Sequence, residues 1–273
     1  MTRTRAATEA ALATAESAAL AAGRLLLERW DGPVSGRSTK SSRTDEVSDA
    51  DRASEALIVD AIRRAHPHDA IVSEEGGGAT GTSSRRWLVD PLDGTVNYLY
   101  RIPHWCVTIA CADAGGPLVG VTHDPVRGEI FSAARGEGAW LRSSASASEP
   151  RRLAVSGVTD LGLSLLGDGF SYDAEDRREQ ARREALIVPV VRDVRRAGSA
   201  ALDLAWVAAA RLDAYAESGG REWDWAAGRL LVSEAGGMLS ETKGVRPDAP
   251  TLVASGRGIH EALVALLIHV QDP

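Results

Sequence analysis

The most informative segment of this sequence is Trp87-Leu88-Val89-Asp90-Pro91-Leu92-Asp93-Gly94-Thr95-Val96-Asn97-Tyr98. Its first three residues are apolar and predict a buried strand, and the carboxylates Asp90 and Asp93 follow at the strand's end. Gly94 and Thr95 come next and can open a helix, whose N-terminal amides attract anions. Two carboxylates beside a buried strand repel each other unless a cation neutralises them. The stretch therefore predicts a site that holds hard cations and a phosphate group together.

Five acidic residues are predicted to lie where strands end or helices begin: Glu74, Asp90, Asp93, Glu217 and Asp224. Mg²⁺ prefers oxygen ligands and combines a few carboxylates with water and substrate phosphate. In two-metal sites the ions lie ~4 Å apart and clamp the attacking and leaving oxygens, and the spacing of Asp90 and Asp93 suits two ions. Pro91 stiffens the turn between them, which makes the Leu92 carbonyl a further ligand candidate. Gly94 lets the backbone approach a phosphate closely.

Composition fits an ordinary globular protein of one large or two smaller domains. The chain has 273 residues, of which 44% are hydrophobic and 25% charged, with a net charge of −7. This acidic balance disfavours nonspecific nucleic-acid binding, because phosphate backbones attract positive surfaces. We expect neither a signal peptide nor a membrane span, since no stretch of ~18 consecutive apolar residues occurs. Cys106 and Cys111 would point to opposite faces of one strand, which predicts two buried thiols, no disulfide and a cytoplasmic location.

The order of predicted elements indicates an antiparallel meander in the first half and alternating helices and strands in the second. Helices are predicted over residues 6–30, 48–66, 173–186, 199–210, 223–235 and 259–270. Besides the strand of the opening stretch, strands are predicted over 71–74, 106–112, 118–122, 130–134, 161–166, 214–217 and 251–254. Residues 31–45 read as an exposed mobile loop. The polar connection at 142–152 is the candidate boundary between a metal-binding half, 1–148, and a half that completes the site, 149–273.

The motifs together resemble those of the inositol monophosphatase family, within the wider superfamily of Mg²⁺-dependent, lithium-sensitive phosphatases. The family pattern Asp-Pro-(Ile/Leu)-Asp-Gly-Thr-x-Asn-(Phe/Tyr) is met by residues 90–98, and the Trp-Asp pattern with a later Gly-Gly by Trp223-Asp224 and Gly236-Gly237. Lys40 through Asp51 resembles the family's mobile loop and following helix, and Gly198-Ser199-Ala200-Ala201 a segment near its substrate. The resemblance implies a layered αβαβα sandwich, with a mostly antiparallel N-terminal sheet, two long helices and a C-terminal α/β layer.

The resemblance also implies roles for individual residues. One metal would be held by Glu74, Asp90 and the Leu92 carbonyl, a second by Asp90, Asp93 and Asp224, and a third, weaker ion near Glu74. The cofactor would be Mg²⁺, two to three ions per site, with Mn²⁺ as a possible substitute and Li⁺ as an inhibitor. Water would be the nucleophile, oriented and deprotonated with the help of Thr95 and Glu74, and Asp93 belongs to the same catalytic set. The substrate would contact Gly94, Thr95, Ser199, Ala200, Glu217 and Lys40.

The implied activity is hydrolysis of myo-inositol monophosphate to inositol and phosphate. Alternatives that share the metal site are a histidinol phosphatase, a 3′-nucleotide phosphatase and a fructose-1,6-bisphosphatase-like enzyme. An alternative from another class is a regulatory binding protein with vestigial phosphatase activity. Glu217 favours inositol phosphate, because related enzymes that act on inositol carry an acid there, while Arg221 either favours a more anionic substrate or neutralises Glu217. Family members are commonly homodimers, which we expect here too.

Overall fold

Two long helices begin the chain and pack against each other. The computed structural model describes residues 2–32, 36, 38–39, 46–143 and 149–270. Helix α1 (Thr2–Trp30) presents a row of buried alanines that lets its neighbour approach closely. After the short antiparallel pair β1 (Ser38–Thr39) and β2 (Glu46–Val47), helix α2 (Asp49–Ala65) begins with a capping box between Ser48 and Asp51. Both predicted helices are confirmed. Strand β1 lies within the predicted loop 31–45, and β2 directly follows that loop.

The first sheet has seven strands in the spatial order of the chain and positions the opening stretch at its second strand. The first two strands are parallel and all later neighbours antiparallel, so the predicted meander is confirmed. The strands are β3 (Ala70–Ser73), β4 (Arg86–Asp93), β5 (Cys106–Asp113), β6 (Gly116–Asp124), β7 (Glu129–Ala134), β8 (Gly138–Ser143) and β9 (Arg151–Arg152). A short helix, α3 (Thr95–Leu99), follows β4.

The second sheet has five strands, with β10 (Leu165–Asp168) and β12 (Ala214–Ser218) near its centre. Its spatial order is β11-β10-β12-β14-β13, where β11 is Asp193–Arg195, β13 is Met238–Arg246 and β14 is Ala249–Ser255. The helices of this half are α4 (Ala174–Ile187), α5 (Ala200–Ala208), α6 (Glu222–Glu234) and α7 (His260–His269).

The three largest hydrophobic clusters of the described residues define five layers. Helices α1 and α2 cover the outer face of the first sheet, and their buried side chains share one core with β4, β5 and β6. Helices α5 and α6 lie between the two sheets, because their apolar residues pack with Phe131 of the first sheet and Leu252 of the second. Helices α4 and α7 cover the other face of the second sheet. The expected layered αβαβα sandwich is confirmed.

Some boundaries differ from the sequence-based expectation. Residues 161–166 were predicted as one strand, but Leu161–Leu163 forms a 3₁₀ turn and the strand begins at Leu165. The connection predicted at 142–152 is strand at both ends, because Arg142 belongs to β8 and Arg151–Arg152 forms β9, which pairs with β8. The division at 148/149 stays a prediction.

Helix α1 is long and apolar enough, by length and composition, to cross a membrane. Its residues Ala11, Ala15, Ala19 and Leu26 are fully buried against the fold, which is how the core helix of a globular domain behaves. The two cysteines are free and buried, as predicted.

Candidate active site

The end of strand β4 carries the acids of the opening stretch. Asp90 is 3% exposed, and its Oδ1 accepts the N–H of Leu92 at 2.9 Å, which folds the chain into a tight turn around Pro91. The pairing of β4 with β5 shifts between Asp90 and Asp93, so both acids reach the same end of the sheet. Gly94 has φ +94°, and a Cβ there would lie 3.0 Å from the carbonyl oxygen of His104. Only glycine suits this position at the start of α3.

Glu74 joins these acids because β3 and β4 are parallel. Ser73 is aligned with Val89, so the next residues along the two strands, Glu74 and Asp90, emerge side by side. The backbone N–H of Glu74 donates to the carbonyl of Val89 at 3.1 Å, which fixes this end of β3. A parallel pair thus brings together two acids that lie sixteen positions apart in the sequence.

One pocket of about 120 Å³ gathers the predicted residues from both halves of the chain. Those that line it are Glu74, Asp90, Leu92, Asp93, Gly94, Thr95, Ser199, Ala200, Glu217 and Asp224. Lys40 lies outside the described residues. The structure therefore brings every other predicted site residue to one place, and their individual roles stay predictions.

Burial and mutual repulsion make ionisation of the acids in this pocket unfavourable. Burial raises the pKa of Asp90 well above its ordinary value, and the charges of Glu74, Asp93 and Asp224 add to the effect. Burial likewise raises the pKa of Asp224 well above its ordinary value, and the charges of Asp93 and Glu74 add to the effect. Burial also raises the pKa of Asp93, to about 6, although hydrogen bonds from Ser199 and Ala201 oppose this rise. A divalent cation would relieve all three acids.

The chemistry of these donors fits Mg²⁺, but the side chains do not form a closed ligand set. Within the described residues, no three acidic, histidine or cysteine side chains stand arranged to hold an ion together. One reason is that Asp93 turns toward α5, where its Oδ2 accepts the hydroxyl of Ser199 at 2.6 Å and the N–H of Ala201 at 2.7 Å. Asp224 accepts the N–H of Arg221 at 2.7 Å through Oδ2 alone, which leaves Oδ1 for a ligand role.

Thr95 is oriented by a residue of α2. Its hydroxyl lies 2.9 Å from Oδ1 of Asp51 and 3.0 Å from the carbonyl oxygen of Leu92, so its single hydrogen is directed toward these two acceptors. The other oxygen of Asp51 accepts the N–H of Ser48 at 2.9 Å, and Asp51 is fully buried. The capping box of α2 therefore also holds a side chain of the pocket. Spacing within the sequence predicts the capping box but not this contact.

Glu217 occupies the opposite side of the pocket. It follows Tyr215 on the same face of β12, and the Tyr215 hydroxyl donates to its Oε2. A Cβ at position 169 would collide with the Glu217 carboxyl group, so Gly169 provides the space for it. Burial raises the pKa of Glu217, against the stabilising effects of the Tyr215 hydroxyl and the positive charge of Arg196. Glu217 is thus held in place, and is not a mobile surface acid.

Three charged residues of the pocket were missed from the sequence: Asp168, Arg196 and Asp203. Asp168 ends strand β10, so the rule that found the other acids, a carboxylate at a strand's end, could have found it. Burial, Glu184 and Glu217 raise its pKa well above the ordinary value. Arg196 follows β11, a three-residue strand that no sequence pattern predicts. Asp203 lies in the first turn of an apolar helix and reads there as a capping residue.

Cys106 lies behind the pocket and is not a nucleophile. Its Sγ is 3.6 Å from the Ser199 hydroxyl, and the side chain is fully buried. Burial and the charge of Asp93 raise the pKa of this thiol well above its ordinary value. The thiolate needed for nucleophilic attack is therefore disfavoured.

Comparison with known proteins assigns the family. The family model described as "Inositol monophosphatase family" matches residues 8–271. The inositol-1-monophosphatase of Mycobacterium bovis is 42% identical over 264 residues, which cover 93% of this chain and 90% of that protein. Nus factor SuhB of Escherichia coli K12 is 41% identical over 232 residues, 83% of each chain. The crystal structure of extragenic suppressor protein suhB from Bartonella henselae superposes with a TM-score of 0.86 at 33% identity, covering 94% of this chain and 98% of that one. The chain belongs to the inositol monophosphatase family.

Proposed function

We propose that this protein hydrolyses the phosphate monoester of a small polyol, with myo-inositol monophosphate as its substrate and Mg²⁺ as its cofactor. The observation that carries the proposal is the single pocket in which Glu74, Asp90, Asp93 and Asp224 face Glu217. The four acids suit two or three hard cations, and Glu217 suits the hydroxyl groups of a leaving group. Mn²⁺ as a substitute, Li⁺ as an inhibitor, a cytoplasmic location and a homodimer belong to the same proposal.

Mg²⁺, when bound by these four carboxylates and the Leu92 carbonyl, would supply positive charge at the phosphate and lower the pKa of water. The chain's own groups would do the rest. Because the Thr95 hydroxyl donates to Asp51 and Leu92, its oxygen can accept a hydrogen from water and orient it. A Glu74 carboxylate oxygen would take that proton. The amides of Gly94 and Thr95 would donate to phosphate oxygens as charge redistributes.

Glu217 supports a polyol as the leaving group. A carboxylate accepts hydrogen bonds only, so it matches a ring that offers several hydroxyl donors. Its carboxyl group is fixed by Tyr215 and Gly169, which makes recognition depend on where the hydroxyls lie. Histidinol phosphate, a 3′-nucleotide and fructose 1,6-bisphosphate are the substrates that would use the same metal acids with other leaving groups.

A phosphate-release assay with the purified chain tests the proposal. We expect Mg²⁺-dependent turnover of myo-inositol 1-phosphate that exceeds turnover of the other three esters and falls at millimolar Li⁺. Faster cleavage of histidinol phosphate would show that histidinol phosphate, and not inositol phosphate, is the preferred substrate. Turnover without a divalent metal would refute the site assignment. An Asp93→Asn variant serves as the control, and we expect it to lose this activity.

A second candidate function is suggested by the relatives named Nus factor SuhB. In this alternative the chain acts mainly by binding a partner. The net charge of −7 disfavours direct contact with nucleic acid, so the partner would be a protein. If the Asp93→Asn variant without activity restored a deletion strain fully, binding and not hydrolysis would be the main role.

A further inference from the structure

A second cavity, of about 560 Å³, opens beside the pocket of carboxylates. It shares Glu74, Glu217 and Asp224 with that pocket, so a ligand can extend from one into the other. Ligand pockets typically measure ~300–1,000 Å³, and this cavity falls within that range. A leaving group that contacts Glu217 therefore has room for a further substituent on the side away from Asp90 and Asp93.

Arg221 lines this cavity, and its guanidinium group has no partner among the described residues. Its backbone N–H donates to Asp224, which fixes the residue at the start of α6. Its side chain forms no ion pair and no hydrogen bond with any residue that the structure describes. The cation whose charge stabilises Glu217 is Arg196, on the other side. Of the two roles open to Arg221 from the sequence, attraction of an anionic substrate is therefore the better supported.

The other charged groups on this wall are already engaged. Arg246 from β13 forms an ion pair with Asp176 at 3.2 Å and remains 54% exposed, so it keeps donors for a ligand. Asp176 also accepts the Ser171 hydroxyl at 2.9 Å. Asp173 accepts the backbone N–H groups of Glu175 and Asp176, which lower its pKa. Asp173 and Asp176 thus already have hydrogen-bond or ion-pair partners, whereas the guanidinium group of Arg221 has none among the described residues.

We propose that Arg221, assisted by Arg246, binds a second phosphate group carried by the leaving group. The substrates favoured would then be bisphosphate esters of a small polyol. A guanidinium group matches phosphate because its planar fork donates two parallel hydrogen bonds. This inference rests on the proposed phosphatase function and changes the preferred ester of the polyol from a monophosphate to a bisphosphate.

The test compares two substrates that share one ring, myo-inositol 1-phosphate and myo-inositol 1,4-bisphosphate, with the full chain and Mg²⁺. We expect a higher kcat/KM for the bisphosphate in the unaltered protein. In Arg221→Ala, kcat/KM for the bisphosphate should fall about tenfold more than for the monophosphate, the size of one charge-assisted contact. Arg221→Lys keeps the positive charge but not the planar guanidinium group. Its kcat/KM for the bisphosphate should lie between the values of the unaltered protein and Arg221→Ala.

Arg195→Ala is the matched control, because Arg195 is an exposed arginine that pairs with Asp193 and lines neither cavity. It should leave the ratio of the two kcat/KM values unchanged. Equal losses on both substrates in Arg221→Ala, or no preference for the bisphosphate in the unaltered protein, would overturn the proposal. If neither ester were hydrolysed, the phosphatase function would fail. Titration calorimetry of the bisphosphate into the unaltered chain and Arg221→Ala, both with Mg²⁺, would then decide the binding claim by itself.

Discussion

The Tyr215 hydroxyl holds the carboxyl group of Glu217 in the pocket. Tyr215 is fully buried in β12, two residues before Glu217, and its hydroxyl donates to Oε2. Gly169 leaves the space that the carboxyl group fills. If Glu217 selects the leaving group as proposed, this selection should depend on Tyr215, which lies below the surface of the pocket.

Tyr215→Phe removes this hydrogen bond and keeps the ring. Hydrogen bonds to charged groups contribute about 1.5–3 kcal/mol, so we expect KM for myo-inositol 1-phosphate to rise roughly tenfold with a small change in kcat. Steady-state kinetics with p-nitrophenyl phosphate, whose leaving group has no ring hydroxyls, should show little change.

Tyr98→Phe is the matched control, because the Tyr98 hydroxyl donates to the Leu26 carbonyl at 2.8 Å away from the pocket. It should lower stability comparably and leave KM as it was. A loss of kcat that is the same for both substrates in Tyr215→Phe would show that the tyrosine only maintains the fold.

Among the elements, those with strong apolar patterns were predictable and the edge strands were not. An apolar run predicts strand β4, and a capping box predicts the start of helix α2. Strand β13 reads Met-Leu-Ser-Glu-Thr-Lys-Gly-Val-Arg and is mostly half-buried or exposed, because it lies at the edge of the second sheet and needs only one neighbour. Strand β11, at the other edge, has three residues. Backbone pairing, and not side-chain pattern, defines such strands.

The same distinction applies to the site. Acids at strand ends are visible in the sequence, and so Glu74, Asp90, Asp93, Glu217 and Asp224 could be named. Contacts such as Thr95 with Asp51, or Glu217 with Arg196, depend on how distant elements pack. They follow no local spacing and become visible only in three dimensions.

Helix α6 carries Asp224 and is positioned by a glycine of the first sheet. A Cβ at Gly120 of β6 would lie 2.8 Å from the Cα of Ala227, so the helix rests directly on the strand. Gly120→Ala should destabilise the protein by about 1–3 kcal/mol, the usual cost of overpacking. Because the shift moves the start of α6, it should also weaken Mg²⁺ binding.

Chemical denaturation and calorimetric Mg²⁺ titration measure the two effects. Gly157→Ala is the control, since a Cβ at Gly157 meets open space and its φ lies outside the left-handed region. A loss of stability in Gly120→Ala without any change in Mg²⁺ affinity would show that Asp224 keeps its position when α6 moves.

Folding of the two sheets and their helices gathers seven acids and one arginine, Arg196, in one pocket. Glu74, Asp90 and Asp93 come from the first sheet, Glu217 from the second, and Asp224 from the helix layer that both sheets share. The pKa values of Asp90, Asp93 and Asp224 are raised, so in the folded state these groups hold protons that the unfolded chain releases. Their ionisation therefore opposes folding.

The contribution of these three acids to the stability of the metal-free protein should accordingly fall as pH rises, and Mg²⁺ should restore it. A raised folded-state pKa favours the folded state below the ordinary value of 3.8, and this benefit is lost as pH rises through the folded-state value, about 6 for Asp93. For Asp93 alone the loss is on the order of 3 kcal/mol.

We therefore expect the Mg²⁺-induced increase in Tm to be small at pH 5 and large at pH 8, because only the ionised acids bind the cation. Thermal unfolding with EDTA or Mg²⁺ at both pH values measures this, and Asp224→Asn should raise the Tm in EDTA at pH 8 while shrinking the Mg²⁺ effect. An increase in Tm that is equal at both pH values, or unaltered in Asp224→Asn, would mean that Mg²⁺ stabilises the protein somewhere other than this pocket.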